Sequence, residues 1–274
     1  MSKCLEIGMK ISKVQTPREQ HSKSIVISYQ IENPITIRST QRLELCAKNW
    51  GKFSWNRFQL YKTLKSYDIF AITSMAKLDS KMTLKFMMRN ISEFKELSSS
   101  DKNALNNNFV AKNLLLNRVY EIMEREPWKY ISGSDMTNQQ IINYYGSTDK
   151  DVIRRFDTFW DYYYHNFILP FKKMKISKPE YLAIFLLVMF DPAYINLSDE
   201  CVELCQSMRK VIFGELRGYH YGKNYDESRM FDIIEAMQLI EKAENKLREE
   251  ILLCDMSGIQ VNGEFKRILL LNNI

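Results

Sequence analysis

The chain has 274 residues, 45% apolar and 26% charged, a composition that supports a sizeable core and excludes a disordered or fibrous protein. Nine Gly and six Pro are few for this length, so the sequence reads as mainly helical rather than as a many-turned β architecture. The net charge of +6 is uneven: residues 1 to 66 carry 12 Lys or Arg against 4 Asp or Glu, a balance of +8, while the rest carries 27 against 29, a balance of −2.

In chain order, MSKCLEIGMK (1–10) is too short and aperiodic to be a domain. Residues 11–41 are polar, carry Pro17 and Pro34 and read as a hinge, within which Ser24 to Gln30 alternates like a short strand. Arg42 to Ser66 interleaves Trp50, Phe53, Trp55 and Phe58 with basic residues. Such a pattern can stack on nucleic acid, but it more often packs one helix face onto a core while the charges stay wet. Residues 78–97 follow as one amphipathic helix, with Leu84, Met87, Met88, Ile91, Phe94 and Leu97 three or four apart. Ser98 and Asp101 then form an S-x-x-D pattern that caps the next helix start, so a corner is expected, followed by a helix from Lys102 to Met123.

Glu126 to Thr148 is irregular, with Pro127, Gly133 and Gly146, and Val152 to Phe171 is an aromatic-rich, largely buried helix. Lys178 to Phe190 should end before Pro192, because the ring disfavours helical geometry in the residue ahead of it. Ser198, Asp199 and Glu200 give the next helix, to about Gly218, a cap and two acids that complement its dipole. Met230, Ile233, Met237, Ile240, Leu247 and Ile251 trace a long helix from about Asp226 to Leu253.

The apolar run Tyr181 to Phe190 is shorter than the roughly 20 residues a membrane span needs, so no membrane partner is expected. Five cysteines with no CxxC pair make neither a disulfide framework nor a zinc site, and Cys201 and Cys205, one turn apart, read as small apolar residues rather than metal ligands. HExxH, G-x-S-x-G, G-x-x-x-x-G-K-[ST] and G-x-G-x-x-G are all missing, and His21, His165 and His220 lie far apart. No enzyme and no catalytic or metal-binding residues are expected.

The corner resembles the signature of the nuclear hormone receptor ligand-binding domain, F-x-x-L-x-x-x-D-[QK]-x-x-L, with Phe94, Leu97, Asp101, Lys102 and Leu105 in those positions. Glu180, Tyr181, Leu197, Ser198, Arg229 and Phe231 fit further family positions, and the resemblance spans roughly residues 50–274. Lys3, Cys4, Gly8 and Met9 match K-C-x-x-x-G-M, the end of the family's DNA-binding domain. The chain is most similar to the divergent nematode-type members. The organisation implied is a DNA-binding-domain remnant at 1–10, a hinge at 11–41 and a ligand-binding domain at 42–274.

The resemblance implies an all-α, three-layered antiparallel helical sandwich with a small β-turn after the corner's second helix. It implies a lipophilic ligand in a pocket lined by Met87, Met88, Ile91, Leu115 and Leu116, although the same residues read equally as solid core. It implies a groove for an LxxLL-type coregulator helix, formed by Arg89, Phe94, Leu97, Lys102, Leu105, Ile268 and Leu269, with Arg89 where Lys is usual. It also implies a structural ion pair between Glu180 and Arg229. In the C-terminal segment Phe265-Lys266-Arg267-Ile268-Leu269-Leu270 the family's central acid is missing, so the charge clamp is incomplete and coactivator recruitment should be weak or unconventional. The implied function is transcriptional regulation in the nucleus as a homodimer or a heterodimer with another nuclear receptor. DNA and zinc would enter only through an upstream zinc-finger domain. The alternative is a ligandless heterodimerisation module that titrates partner receptors.

Overall fold

A computed structural model of the chain describes residues 41–125, 138–147 and 149–271. The expected remnant at 1–10, the hinge up to residue 40 with its short strand, and the family's β-turn between residues 126 and 137 lie outside the described residues. The described residues form helices and their connections, with no strand among them. In order these are α1 (Gln41–Lys62), α2 (Ile69–Asn90), α3 (Ser92–Glu96), α4 (Ser99–Arg125), α5 (Asn138–Tyr145), α6 (Lys150–Tyr163), α7 (Leu169–Lys173), α8 (Lys178–Met189), α9 (Asp199–Gly222), α10 (Arg229–Met256) and α11 (Gly263–Leu271).

The helices stack in three layers. α4 and α8 lie in the middle, α1 and α2 cover one side, α10 with α6 covers the other, and α9 packs on α8. α8 explains the arrangement: every residue from Glu180 to Met189 is buried, so a helix apolar on all sides needs neighbours all round. Trp50 of α1 sits at the junction, its ring 5.1 to 5.5 Å from those of Phe53, Phe86, Tyr120, Tyr181 and Phe185 on α1, α2, α4 and α8. Edge-to-face pairs of this kind add about 0.5–1.5 kcal/mol each beyond area burial. The aromatic–basic stretch of α1 therefore faces the core with Trp50 and Phe53, while Trp55 is exposed.

Two helices are not continuous where the sequence reads them so. The run read as one helix over 78–97 begins at Ile69 and stops at Asn90, because Asn90 turns its side-chain amide back onto the Phe86 carbonyl (2.7 Å) and Ile91 adopts extended backbone. α6 passes into α7 through one wide π-helical turn, Tyr164–Ile168, in which the Leu169 amide donates to the Tyr164 carbonyl five residues back. Pro170, lacking an N–H, follows directly.

A candidate docking groove beside the capped corner

The corner is held by Asp101. Its amide donates to Ser98 Oγ (3.0 Å), and its carboxylate accepts from Ser98 Oγ (2.7 Å), the Ser198 amide (2.9 Å) and Ser198 Oγ (3.1 Å). Ser198 Oγ in turn accepts the Cys201 amide at the start of α9, so one carboxylate ties two helix starts together. Burial opposes its charge, but the Ser198 amide and the two seryl hydroxyls outweigh burial and hold the Asp101 carboxyl below its usual value. Phe94 and Leu105 are fully buried, with Phe94 edge-on to Phe190 at 6.2 Å. Both are therefore corrected from the groove to the inside of the corner: the side chains that fix the bend are the ones it hides.

On α2, Lys77, Lys81, Leu84 and Met88 fall at i, i+4, i+7 and i+11 and make one stripe. Its first residue pairs with Glu264 of α11. Ser80, one turn before Leu84, accepts from Asn106 of α4 at 2.5 Å. α2 thus packs on α4 beside the stripe, with α11 paired to the stripe's first residue and the corner following its last. Met88 is 45% exposed, which moves it from the expected pocket to this outer stripe. Neighbouring helix positions diverge by about 100°, so Met87 can be fully buried while Met88 faces outward. Arg89 is exposed at the corner end, Leu97 is half-buried, and Lys102 donates to the Lys95 carbonyl (2.7 Å).

α11 is seated by features that periodicity does not reveal. Asn262 caps it by accepting the Phe265 amide (3.0 Å), while its own amide and side chain donate to Thr73 Oγ1 (3.1 Å) and Ser74 Oγ (3.2 Å) of α2. Phe265 and Leu269 are buried, Ile268 is half-buried, and Arg248 of α10 donates to the Leu269 carbonyl (3.2 Å), meeting the negative end of the helix. Leu269 is accordingly an anchor beneath α11 rather than a groove surface.

Beneath the groove, Met87, Ile91, Leu115 and Leu116 belong to the main core. A polar centre missed from sequence lies nearby: Arg57 donates to Asp79 through Nε (2.5 Å) and Nη2 (2.6 Å), and Asn113 and Asn117 donate to the same carboxylate. The available signal was Asp79 itself, a charge on the buried arc of α2 between Ile72 and Phe86. On the far side, Glu250 accepts from Tyr145 and Tyr163 hydroxyls, each at 2.7 Å, and burial raises its carboxyl above the usual range despite those bonds. Tyr61 Oη and Trp160 Nε1 are buried without a hydrogen-bond partner; Tyr144 packs edge-on to Trp160 and against the small cluster of Tyr61, Ile72 and Met75.

Glu180 and Arg229 meet in a forked pair, Nε to Oε1 at 2.7 Å and Nη2 to Oε2 at 2.8 Å. Glu180 also accepts the Ser177 amide (2.7 Å) in a capping box and faces His220 Nε2 at 2.9 Å. No grouping of metal-ligating side chains occurs among the described residues.

Layers, corner and seated terminal helix define an all-α domain with an apolar interior. The family description "Ligand-binding domain of nuclear hormone receptor" matches residues 58–257. The chain is 33% identical over 283 aligned positions to nuclear hormone receptor family member nhr-150 of Caenorhabditis elegans, covering 97% of this chain and 82% of that protein. It is 21% identical over 266 positions to nhr-42 of the same organism, covering 90% and 74%. The chain belongs to the nuclear hormone receptor family and comprises a ligand-binding domain of that family. Its class is that of ligand-regulated transcription factors, not enzymes.

Proposed function

We propose that this domain regulates transcription by seating a coregulator helix in the valley between α2, α4 and α11, with a lipophilic ligand biasing how α11 packs. The observation that carries the reading is the seat of α11, whose buried Phe265 and Leu269 and capped start leave an open stripe beside them. For the ligand we assign Met87, Ile91, Leu115 and Leu116 as wall residues. The unpartnered hydroxyl of Tyr61 and indole N–H of Trp160 supply polar handles, since buried polar groups are ordinarily hydrogen-bonded. Nuclear location follows from the same reading, and DNA would be bound only through an upstream zinc-finger domain.

The test is a fluorescence-polarisation titration of a 15-residue LxxLL peptide, with Arg89→Ala as the loss variant, beside native mass spectrometry of the purified protein for a bound lipid. Saturable binding weakened by Arg89→Ala supports the groove; folded protein that binds no helical peptide sinks it. A second reading, a ligandless dimerisation module, is favoured by the exposure of Phe231 (69%) and Met256 (85%) on α10. Lipid-free protein that dimerises but ignores peptide would select it.

A further inference from the structure

We infer that the groove selects a helix carrying carboxylates at its N-terminal end, because both ends of the groove present cations; this deepens the docking reading and rests on it. From Lys77 to Met88 the stripe spans eleven residue steps, roughly 16 Å, the length of three turns of a docked helix. Glu264 pairs with Lys77, so the α11 edge facing α2 carries Glu264 and, three and four residues on, Arg267 and Ile268.

The charges along this edge are mostly consumed in pairs. Glu264 is taken up by Lys77, Asp255 holds Lys266 at 2.6 Å, Glu93 is held by Arg42, and Lys102 is spent on a carbonyl. What remains exposed is Lys81 and Lys85 along α2, Arg89 and Lys95 at the corner end, and Arg267 at the α11 end, against Glu96 on α3 and, on the α9 side of the corner, Asp199 and Glu200.

A helix bound with its C-terminal carbonyls toward Arg89 gains from its dipole there. Its positive N-terminal end then faces Arg267, which repels it. Carboxylates in the first turn or the preceding residues of the ligand helix reverse that sign, pairing with Arg267 and complementing their own helix dipole together. A coregulator helix with a neutral or basic N-terminal flank gains nothing in their place.

The experiment uses three fluorescent 15-residue peptides with one LxxLL core and an acidic, a neutral or a basic N-terminal flank, titrated against the 274-residue protein at low and at physiological salt. One dipole contribution and one exposed ion pair of ordinary size give the acidic peptide a roughly three- to tenfold lower Kd than the neutral one, shrinking with salt. Arg267→Glu should invert the order of acidic and basic peptides, and Arg267→Ala should level it; Arg267 is exposed, and unchanged circular-dichroism melting verifies the fold of both variants. Three peptides that bind equally well, with Arg267→Glu without effect, overturn the charge selection and leave the groove standing. No binding by any of them overturns the groove and the selection alike.

Discussion

Glu180 serves three elements with one carboxylate: it closes the capping box of α8, faces His220 of α9 and takes the fork of Arg229 on α10. Burial raises its carboxyl, but Arg229 and the Ser177 amide and hydroxyl outweigh burial, and the net position is below the ordinary value of 4.5. A carboxyl lowered by folding adds stability above its unfolded value and loses it as pH falls through the folded one. Arg229→Ala removes the charged fork from that buried carboxylate but leaves it the Ser177 amide and His220, so the loss should lie at the low end of the about 3–5 kcal/mol typical of a broken buried pair. Urea denaturation at neutral pH measures the loss, and the variant's stability should fall less than the parent's between pH 5 and 3. Glu250 has the opposite sign. Its carboxyl is raised chiefly by burial, so its contribution is present below the unfolded value and fades as pH rises through the folded one. Glu250→Gln, retaining shape and the two tyrosine partners, should flatten that fade in a pH series of thermal melts; a slope equal to the parent's would show that Glu250 stays charged.

Among the elements, α11 is the one to which the proposed mechanism assigns regulation, and Asn262 caps its start. Asn262→Ala removes a helix cap, typically worth about 1 kcal/mol, together with the bonds to Thr73 and Ser74. The outcome to measure is local: trypsin should cut faster after Lys266 and Arg267 while the global melt moves little, because Phe265 is one residue of a large core. Equal cleavage rates in variant and parent would mean that the cap is dispensable and that apolar burial, with the ties to Lys77, Asp255 and Arg248, seats α11. The long helices, the S-x-x-D cap and the Ser198 start were legible because each depends on residues within a few positions of one another. The stop at Asn90 was not legible, since Ile91 and Phe94 prolong the apolar rhythm through it, and what ends the helix is one side chain turned back on its own backbone and met by Asn49 of α1 (2.6 Å). For the same reason the sequence assigns Met88 to the pocket and Phe94 and Leu105 to the groove, whereas Met88 is exposed and the other two are buried: periodicity defines an arc, and whether its edge is buried depends on which neighbour lies there. The seat of α11 joins residues about 190 positions apart, beyond any local pattern.

Among the described residues, α10 of the third layer has one buried face and an exposed one opposite it. α10 buries Ile233, Ala236, Ile240, Ala243, Leu247 and Ile251 against the middle layer. On its opposite side Phe231, Gln238, Asn245, Glu249 and Met256 follow at i, i+7, i+14, i+18 and i+25, flanked by exposed Ile234 and Leu252. Scattered apolar residues on a surface need no explanation, but apolar groups at both ends of one stripe around a polar middle suit an antiparallel match with a second copy, where each end meets the other's. The expectation is a concentration-dependent homodimer in sedimentation velocity that shifts toward monomer when Phe231→Asp or Met256→Asp is introduced, each to a similar extent because two-fold symmetry places the two ends together. Neither substitution touches the buried face, so the melting temperature of dilute protein should be unchanged. A chain that stays monomeric at the highest concentration reached would assign this stripe to a partner receptor instead, and mixing with such a partner would then be the binding that Phe231→Asp abolishes.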